Sequence, residues 1–236
     1  METTSIGLST VVLLVVLALS FDFLNGFHDA ANSIATIVST KVLKPQHAVV
    51  WAATFNFAAV MVFEMNVAAT VGKGIVQPSV IDAYTIFGAL VGAIAWNLIT
   101  WWHGIPSSSS HALVGGLVGA TLIAHGPSAI IASGVGIIVL FILVAPTLGY
   151  VMGSLLMLVA SRASFRANPV RADKLFRMLQ LVSSALYSLG HGSNDAQKTM
   201  GVIWLILIAA GRPTEDPIPF WVIISCYAAI SVGTLL

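Results

Sequence analysis

Long apolar runs alternate with short polar breaks along this chain of 236 residues. A helix needs about 20 apolar residues to cross a hydrocarbon core roughly 30 Å thick, and the longest runs reach or exceed that length. Such continuous runs are typical of transmembrane helices and are too long for the strands of a membrane barrel. The pattern therefore predicts an all-α polytopic membrane protein. The apolar runs cover residues 6–24, 47–71, 80–102, 112–124, 128–160, 179–189, 200–210 and 220–236.

The composition agrees with this class of protein. Hydrophobic residues make up 58% of the chain and charged residues only 8%, whereas a soluble domain carries roughly 25% charged residues. The single cysteine, Cys226, excludes a disulfide framework and a cysteine-based metal site. The net charge of +1 does not by itself indicate a nucleic-acid partner. We expect no such partner, and membrane lipid is the expected surrounding.

A basic stretch at residues 161–177 divides the chain. By the positive-inside rule this stretch is a cytoplasmic linker. It separates a first transmembrane repeat, residues 1–160, from the start of a second, residues 178–236. Counting five membrane crossings backwards from this linker places the N-terminus on the outer side of the membrane. We expect a multi-pass protein of the inner, cytoplasmic membrane. The count treats residues 106–124 as one crossing, and a re-entrant segment there would change it.

A polar motif containing an aspartate interrupts the apolar pattern twice, around Asp29 and again around Asp195. An offset of 166 residues aligns the two copies and also pairs Gly26 with Gly192. Because an odd number of crossings lies between them, the copies would face opposite sides of the membrane. This arrangement is typical of the inverted repeats of secondary transporters.

Each motif also lies in an over-long helical stretch. Residues 6–39 would form a straight helix of about 51 Å at 1.5 Å per residue, which is too long for the bilayer. We therefore predict a break near Asn25 and Gly26, and a second one at 190–193. Broken helices present N–H groups to anions and carbonyl groups to cations. The predicted fold is thus an inverted-repeat secondary transporter with broken helices at the two aspartate motifs.

Carboxylates within apolar runs mark candidate functional residues, because a charged group at the membrane centre costs about 2.5–3.5 kcal/mol or more. Asp29 and Asp195 are the strongest candidates, since the repeat matches them. Asp22 is weaker, because Ser188 occupies the equivalent position in the second copy. The candidates for binding a coupling cation are Asp29, Asp195, Asn25, Asn32, Asn194 and Glu64.

Four consecutive serines follow Pro106 and precede an apolar helix. Hydroxyl groups at a helix N-terminus, together with its free N–H groups, suit a tetrahedral oxyanion. A simple N-cap followed by a polar loop would explain the same pattern. Lys198 either adds a donor to this site or acts as a counter-ion of Asp195. The candidates for binding the substrate are Ser107, Ser108, Ser109, Ser110, Gln197 and Thr199.

Three histidines, His28, His111 and His191, lie within the polar motifs. They are candidates for a proton relay or for contact with an anion, and a purely structural role is equally compatible with their positions. No HxxxH or HExxH pattern occurs, so the spacing predicts no metal site.

Three motifs in combination resemble the inorganic phosphate transporter family called Pit, in its bacterial low-affinity form. The motifs are NGFHDAANSIAT at 25–36, GIPSSSSHALVGG at 104–116 and HGSNDAQKTMG at 191–201. The resemblance implies symport of phosphate, either as a metal–phosphate complex or with H⁺ or Na⁺. It also implies that Asp29 and Asp195 lie near the coupling cations.

The same resemblance implies roles for further residues. It makes Ser107–Ser110 and Thr199 phosphate ligands, and it makes Glu64 a functionally important helix glutamate. Members of that family carry a second proline–hydroxyl–histidine element. The offset of 166 residues places this element near 272–277, beyond Leu236, so the chain is expected to be C-terminally incomplete.

The leading hypothesis is a secondary transporter for inorganic phosphate that is not an enzyme and needs no cofactor besides its coupling ion, H⁺ or Na⁺. A sulfate or other oxyanion permease on the same scaffold remains an alternative. An ion channel and an intramembrane serine–histidine enzyme are remote alternatives, the latter because no GxSxG motif occurs. A homo-oligomer is compatible with the sequence.

Overall fold

The computed structural model describes residues 6–61, 67–68, 71 and 74–236. Across these residues the backbone is helical apart from short connections and one isolated bridge between Val76 and Ile130, as the apolar runs predict. The helices are α1 (Leu8–Ser39), α2 (Pro45–Ala58), α3 (Ala83–Trp102), α4 (Ser109–His125), α5 (Ala132–Ser164), α6 (Pro169–Ala209) and α7 (Phe220–Leu235). Within the described part of the chain, α1, α3 and α5 are long and apolar enough to cross a membrane.

Local chemistry sets several helix ends. The Asp82 carboxylate accepts a hydrogen bond of 2.7 Å from the Thr85 N–H and so caps α3. Asn168 caps α6 in the same way, directly before a proline at the first helical position. At the end of α4, Gly126 takes a φ of 79°, a left-handed conformation that favours glycine.

The predicted breaks at the two aspartate motifs are absent from the structure. Helix α1 runs continuously for 32 residues, and α6 runs continuously for 41. Gly26 and Gly192 serve close packing instead: a Cβ on Gly26 would overlap the Ile230 carbonyl of α7, and one on Gly192 would overlap the Asn56 carbonyl of α2. At 1.5 Å per residue α1 is about 48 Å long, so it must tilt or extend beyond the hydrocarbon core.

Helices α1 and α6 lie side by side and run antiparallel. Thr40 near the end of α1 donates to Gln180 at 2.6 Å, and Ser184 donates to the Ser33 carbonyl at 3.0 Å. Further along, Asp29 lies beside His191. As the residue number rises in α1 it falls in α6, so the two motifs meet while running in opposite directions.

Helices α3 and α4 form an antiparallel hairpin whose tip reaches the middle of α1. At one end Thr85 Oγ1 lies 3.2 Å from His125 Nε2. At the other end the rings of Trp101 and Phe27 have centroids 5.6 Å apart. Helix α4 therefore begins beside the aspartate motif of α1, which brings the serine run into the interior.

Helix α5 differs from the others because the described chain buries none of its residues. Its long apolar surface suits contact with lipid chains, which are as apolar as its side chains. The basic stretch at 161–177 contains the end of α5, a short connection and the first turns of α6.

Candidate functional site

The two aspartate motifs meet around one histidine. His191 Nε2 lies 3.3 Å from an Asp195 carboxylate oxygen and 3.8 Å from an Asp29 carboxylate oxygen. All three side chains are largely buried, with 9–13% of their surface exposed. Residues separated by 166 positions in sequence thus form one cluster between α1 and α6.

Two of the four consecutive serines, which the sequence suggested as an oxyanion site, connect α4 to this cluster. The buried Ser109 hydroxyl hydrogen-bonds the Asn25 side-chain oxygen and lies 3.0 Å from Asp29 Oδ2. The next hydroxyl, that of Ser110, lies 3.2 Å from Asp195 Oδ1. Consecutive serines at the start of α4 therefore each contact one of the two acids.

Lys198 is the counter-ion of Asp195, one of the two roles that the sequence left open. Its Nζ lies 2.5 Å from Asp195 Oδ1 and 2.5 Å from Ser110 Oγ. No lysine or arginine in the described chain contacts Asp29, whose neighbours besides Ser109 and His191 are His28 Nδ1 at 3.0 Å and the more distant Asn32 amide at 3.5 Å. The two motifs share a pattern but differ in their electrostatic partners.

The cluster is suited to binding a cation. Asp29, His191 and Asp195 offer ligand atoms that all lie within 4.8 Å of one another. The prediction of no metal site depended on spacing along the sequence, and these groups come from two different helices. With two carboxylates and one ammonium group, the cluster carries negative charge when its histidines are neutral.

A cavity of about 1060 Å³ opens onto this cluster. Its polar lining includes His111, Asn194 and Lys198, and its apolar lining comes largely from α5. A solute that enters the cavity therefore reaches the charged groups of α6 directly.

Three of the predicted substrate ligands point elsewhere. Ser107 donates to Thr100 at 2.9 Å within the hairpin tip, and Ser108 caps α4 by accepting from the His111 N–H at 3.3 Å. The Gln197 side chain donates to Ser193 at 3.1 Å and accepts from the Val67 N–H at 3.0 Å, on another face of α6. These contacts agree with the N-cap alternative for Ser108.

The remaining predicted residues occupy varied positions. Thr199 is fully buried, and its hydroxyl has no hydrogen-bond partner among the described residues. Asn32 and Asn194 are exposed on the protein surface or the cavity wall. Glu64 lies outside the described residues.

Tyr187 is a contact that the sequence reasoning missed. Its ring stacks on His191 with an interplanar angle of 8° and centroids 6.5 Å apart. The signal was present, because residues four positions apart on a helix lie on the same face. The stacking restricts the orientation of the imidazole between the two aspartates.

The resemblance to a transporter family implies uptake of a solute, and replacing Ser109 by alanine should weaken this uptake more than replacing Ser107. The first change removes a buried donor that contacts both Asn25 and Asp29, and we expect the apparent KM to rise about tenfold, the equivalent of roughly 1.4 kcal/mol. The second removes a donor to Thr100 only, so KM should change less than about twofold. Initial uptake rates measured over a series of substrate concentrations would give both KM values. Equal effects of the two variants would contradict the assignment.

Comparison with known proteins agrees with these motifs. Residues 25–236 match the family model PHO4, described as the phosphate transporter family. A probable low-affinity inorganic phosphate transporter of Rhizobium meliloti (strain 1021) is 55% identical over 94% of this chain and 67% of its own length. A protein of Bacillus subtilis (strain 168) with the same name is 46% identical over 94% of this chain and 68% of its length.

Two more distant matches extend the comparison. The low-affinity inorganic phosphate transporter PitA of Escherichia coli (strain K12) is 33% identical over 83% of this chain and 46% of its own length. A solved structure named as the sodium-dependent phosphate transporter shares the fold, with a TM-score of 0.77 over 97% of this chain and 75% of that one, at 22% identity.

All these relatives are named as transporters, in agreement with the prediction that the protein is not an enzyme. The chain spans about two thirds of the length of the Rhizobium and Bacillus relatives. The resemblance to the Pit family is confirmed, and this chain belongs to the phosphate transporter family.

Proposed function

We propose that the protein transports inorganic phosphate across the inner membrane by symport with cations. The observation that carries the proposal is the cluster of Asp29 and Asp195 with the two hydroxyls of Ser109 and Ser110. Hydroxyl groups and Lys198 supply donors for an oxyanion, but the two carboxylates repel it. Phosphate therefore binds only when cations neutralise the acids, and this requirement links the movements of the two solutes.

The coupling cation would bind between Asp29 and Asp195, where Lys198 compensates only one of the two charges. The same oxygen and imidazole ligands would accept H⁺, Na⁺ or a divalent cation that arrives with phosphate. Phosphate would enter along Lys198, which lines the neighbouring cavity, and reach the Ser110 and Ser109 hydroxyls behind it. The relatives' names support phosphate as the transported solute.

An inverted repeat would supply the alternating access that symport needs. The antiparallel course of α1 and α6 supports this, because the two motifs face opposite directions where they meet. A second observation is reciprocal packing: Gly26 of the first copy contacts α7, and Gly192 of the second contacts α2. Rocking of one repeat against the other would expose the shared site to each side in turn.

Uptake of radiolabelled phosphate into proteoliposomes tests the proposal. Separate pH, Na⁺ and Mg²⁺ gradients identify the coupling cation, and unlabelled sulfate serves as competitor. We expect one of the gradients to drive phosphate accumulation that excess sulfate does not inhibit. Phosphate flux that is independent of every cation gradient would reject symport, and inhibition of phosphate uptake by excess sulfate would identify an oxyanion permease of broader specificity.

A further inference from the structure

Asp22 is a buried carboxylate that the site described so far does not use. It lies on α1 with none of its surface exposed, and neither carboxylate oxygen has a hydrogen-bond partner among the described residues. Asn25 and Asp29 follow three and seven positions later, so all three side chains lie on one face of the helix. Asp22 therefore continues the polar face of the site, two turns from Asp29.

No lysine, arginine or histidine among the described residues forms an ion pair with Asp22. The buried Thr199 hydroxyl of α6 lies close to Asp22 and, like the carboxylate, has no hydrogen-bond partner among the described residues. Cys226 and Tyr227 of α7 are further titratable side chains near Asp22. On α6 the titratable groups near it are Asp195, His191 and Lys198, and these already contact one another.

A carboxylate in this position is expensive to keep. Burying an ionised carboxylate without a partner costs several kcal/mol, so such groups in membrane proteins are usually functional. The repeat-related position holds Ser188, which is also buried and carries no charge. A carboxylate found in only one copy points to a role that the two motif aspartates do not share.

We propose that Asp22 is a third cation-binding carboxylate, which takes up a coupling cation, H⁺ or Na⁺, during phosphate transport. This inference rests on the proposed function. With phosphate present, an empty Asp22 would add a negative charge near a bound anion, and a loaded Asp22 removes it. Thr199 supplies a further oxygen for the cation. Binding of a cation at Asp22 thus favours the phosphate-bound state. Release of that cation lets the protein, without phosphate, reorient to the side from which it started.

Asp22→Asn tests this role, because asparagine has nearly the same shape but takes up neither a proton nor a sodium ion as an anionic carboxylate does. The variant is compared with the unmodified protein in two proteoliposome assays. One measures phosphate accumulation driven by the cation gradient. The other measures exchange of labelled phosphate with equal phosphate and cation concentrations on both sides. Exchange needs phosphate binding and reorientation but no net release of the coupling cation.

We expect Asp22→Asn to exchange phosphate within about twofold of the unmodified protein, while gradient-driven accumulation falls at least about tenfold, a coupling free energy of roughly 1.4 kcal/mol or more. Asp22→Glu keeps the carboxylate and should retain accumulation with a shifted half-saturating cation concentration. Asp216→Asn, in the exposed connection before α7, is the matched control and should leave both assays unchanged.

Three other outcomes overturn the inference. Accumulation by Asp22→Asn with unaltered cation dependence would show that no coupling cation binds there. Loss of exchange and accumulation in both the asparagine and the glutamate variants would show that Asp22 only supports the fold. Absence of both activities in the unmodified protein would instead reject the proposed function, and with it the proposed role of Asp22.

Discussion

Phosphate uptake is expected to fall at least about a hundredfold when either Asp29 or Asp195 is replaced by asparagine, since each variant removes a carboxylate that would bind the coupling cation, and a loss of roughly 3 kcal/mol of binding free energy corresponds to that factor. The two variants should differ in stability. Asp195→Asn leaves the Lys198 ammonium in the interior without the carboxylate that lies 2.5 Å away. Asp29→Asn removes no lysine partner in the described chain, so its protein should remain stable while transport is lost.

A double variant separates the transport effect from the stability effect. Adding Lys198→Gln to Asp195→Asn removes the orphaned charge, so the thermal stability of the detergent-solubilised protein should recover while uptake stays low. Asp173→Asn is the matched control, because its exposed ion pair with Arg177 contributes at most about 1 kcal/mol. Uptake within twofold of the unmodified protein in both single variants would reject the site.

The second large effect is expected from methyl groups added at the helix crossings. Gly192→Ala places a Cβ against the Asn56 backbone of α2, and Gly26→Ala places one against the Ile230 backbone of α7. A backbone carbonyl cannot rotate away as a side chain does, so the helices must separate. We expect each change to lower stability by about 3 kcal/mol or more and to prevent recovery of monodisperse protein.

Gly190→Ala is the internal control on the same helix. A Cβ at position 190 meets nothing within 4 Å, so the alanine should stabilise α6 by up to about 1 kcal/mol through its higher helix propensity. Size-exclusion profiles and thermal inactivation in detergent compare the three variants. If Gly192→Ala matches Gly190→Ala in both measurements, the close helix contact does not exist in the membrane.

These glycines also show where sequence reasoning reached its limit. The length and continuity of the apolar runs sufficed for the all-α class, because bilayer thickness dictates helix length. A glycine within a polar motif, however, allows either a helix break or a close helix contact. Which use applies to Gly26 and Gly192 depends on α7 and α2, whose positions no local pattern contains.

The serine run shows a second limit. The hydroxyls of Ser109 and Ser110 reach the aspartates, whereas Ser107 and Ser108 lie before α4 begins. Ser107 contacts Thr100 at the end of α3, and Ser108 contacts the first turn of α4. A shift of one residue in the helix start would exchange these roles. The position of a helix end predicted from sequence is uncertain by more than one residue. The sequence could therefore indicate an oxyanion site without showing which serines belong to it.

Gln197 is different, because helix geometry could have excluded it. It is two positions from Asp195, and side chains two residues apart on a helix do not face each other. Its contacts with Ser193 and the Val67 backbone follow from that geometry. The proximity of Asp29 and Asp195, in contrast, results from the packing of α1 against α6, and the repeat offset aligned the two aspartates without indicating that they lie together.

The Lys198–Asp195 pair affects how membrane voltage acts on the transporter. Its ammonium group is covalently part of the protein, so over a complete cycle it carries no net charge from one side to the other. In the proposed symport, the charge moved per cycle is the sum of the charges of phosphate and of the cations that cross with it. One motif aspartate is thus neutralised by a charge that does not cross the membrane, and the electrical response of the proposed symport reports on phosphate together with the cations bound at the remaining carboxylates.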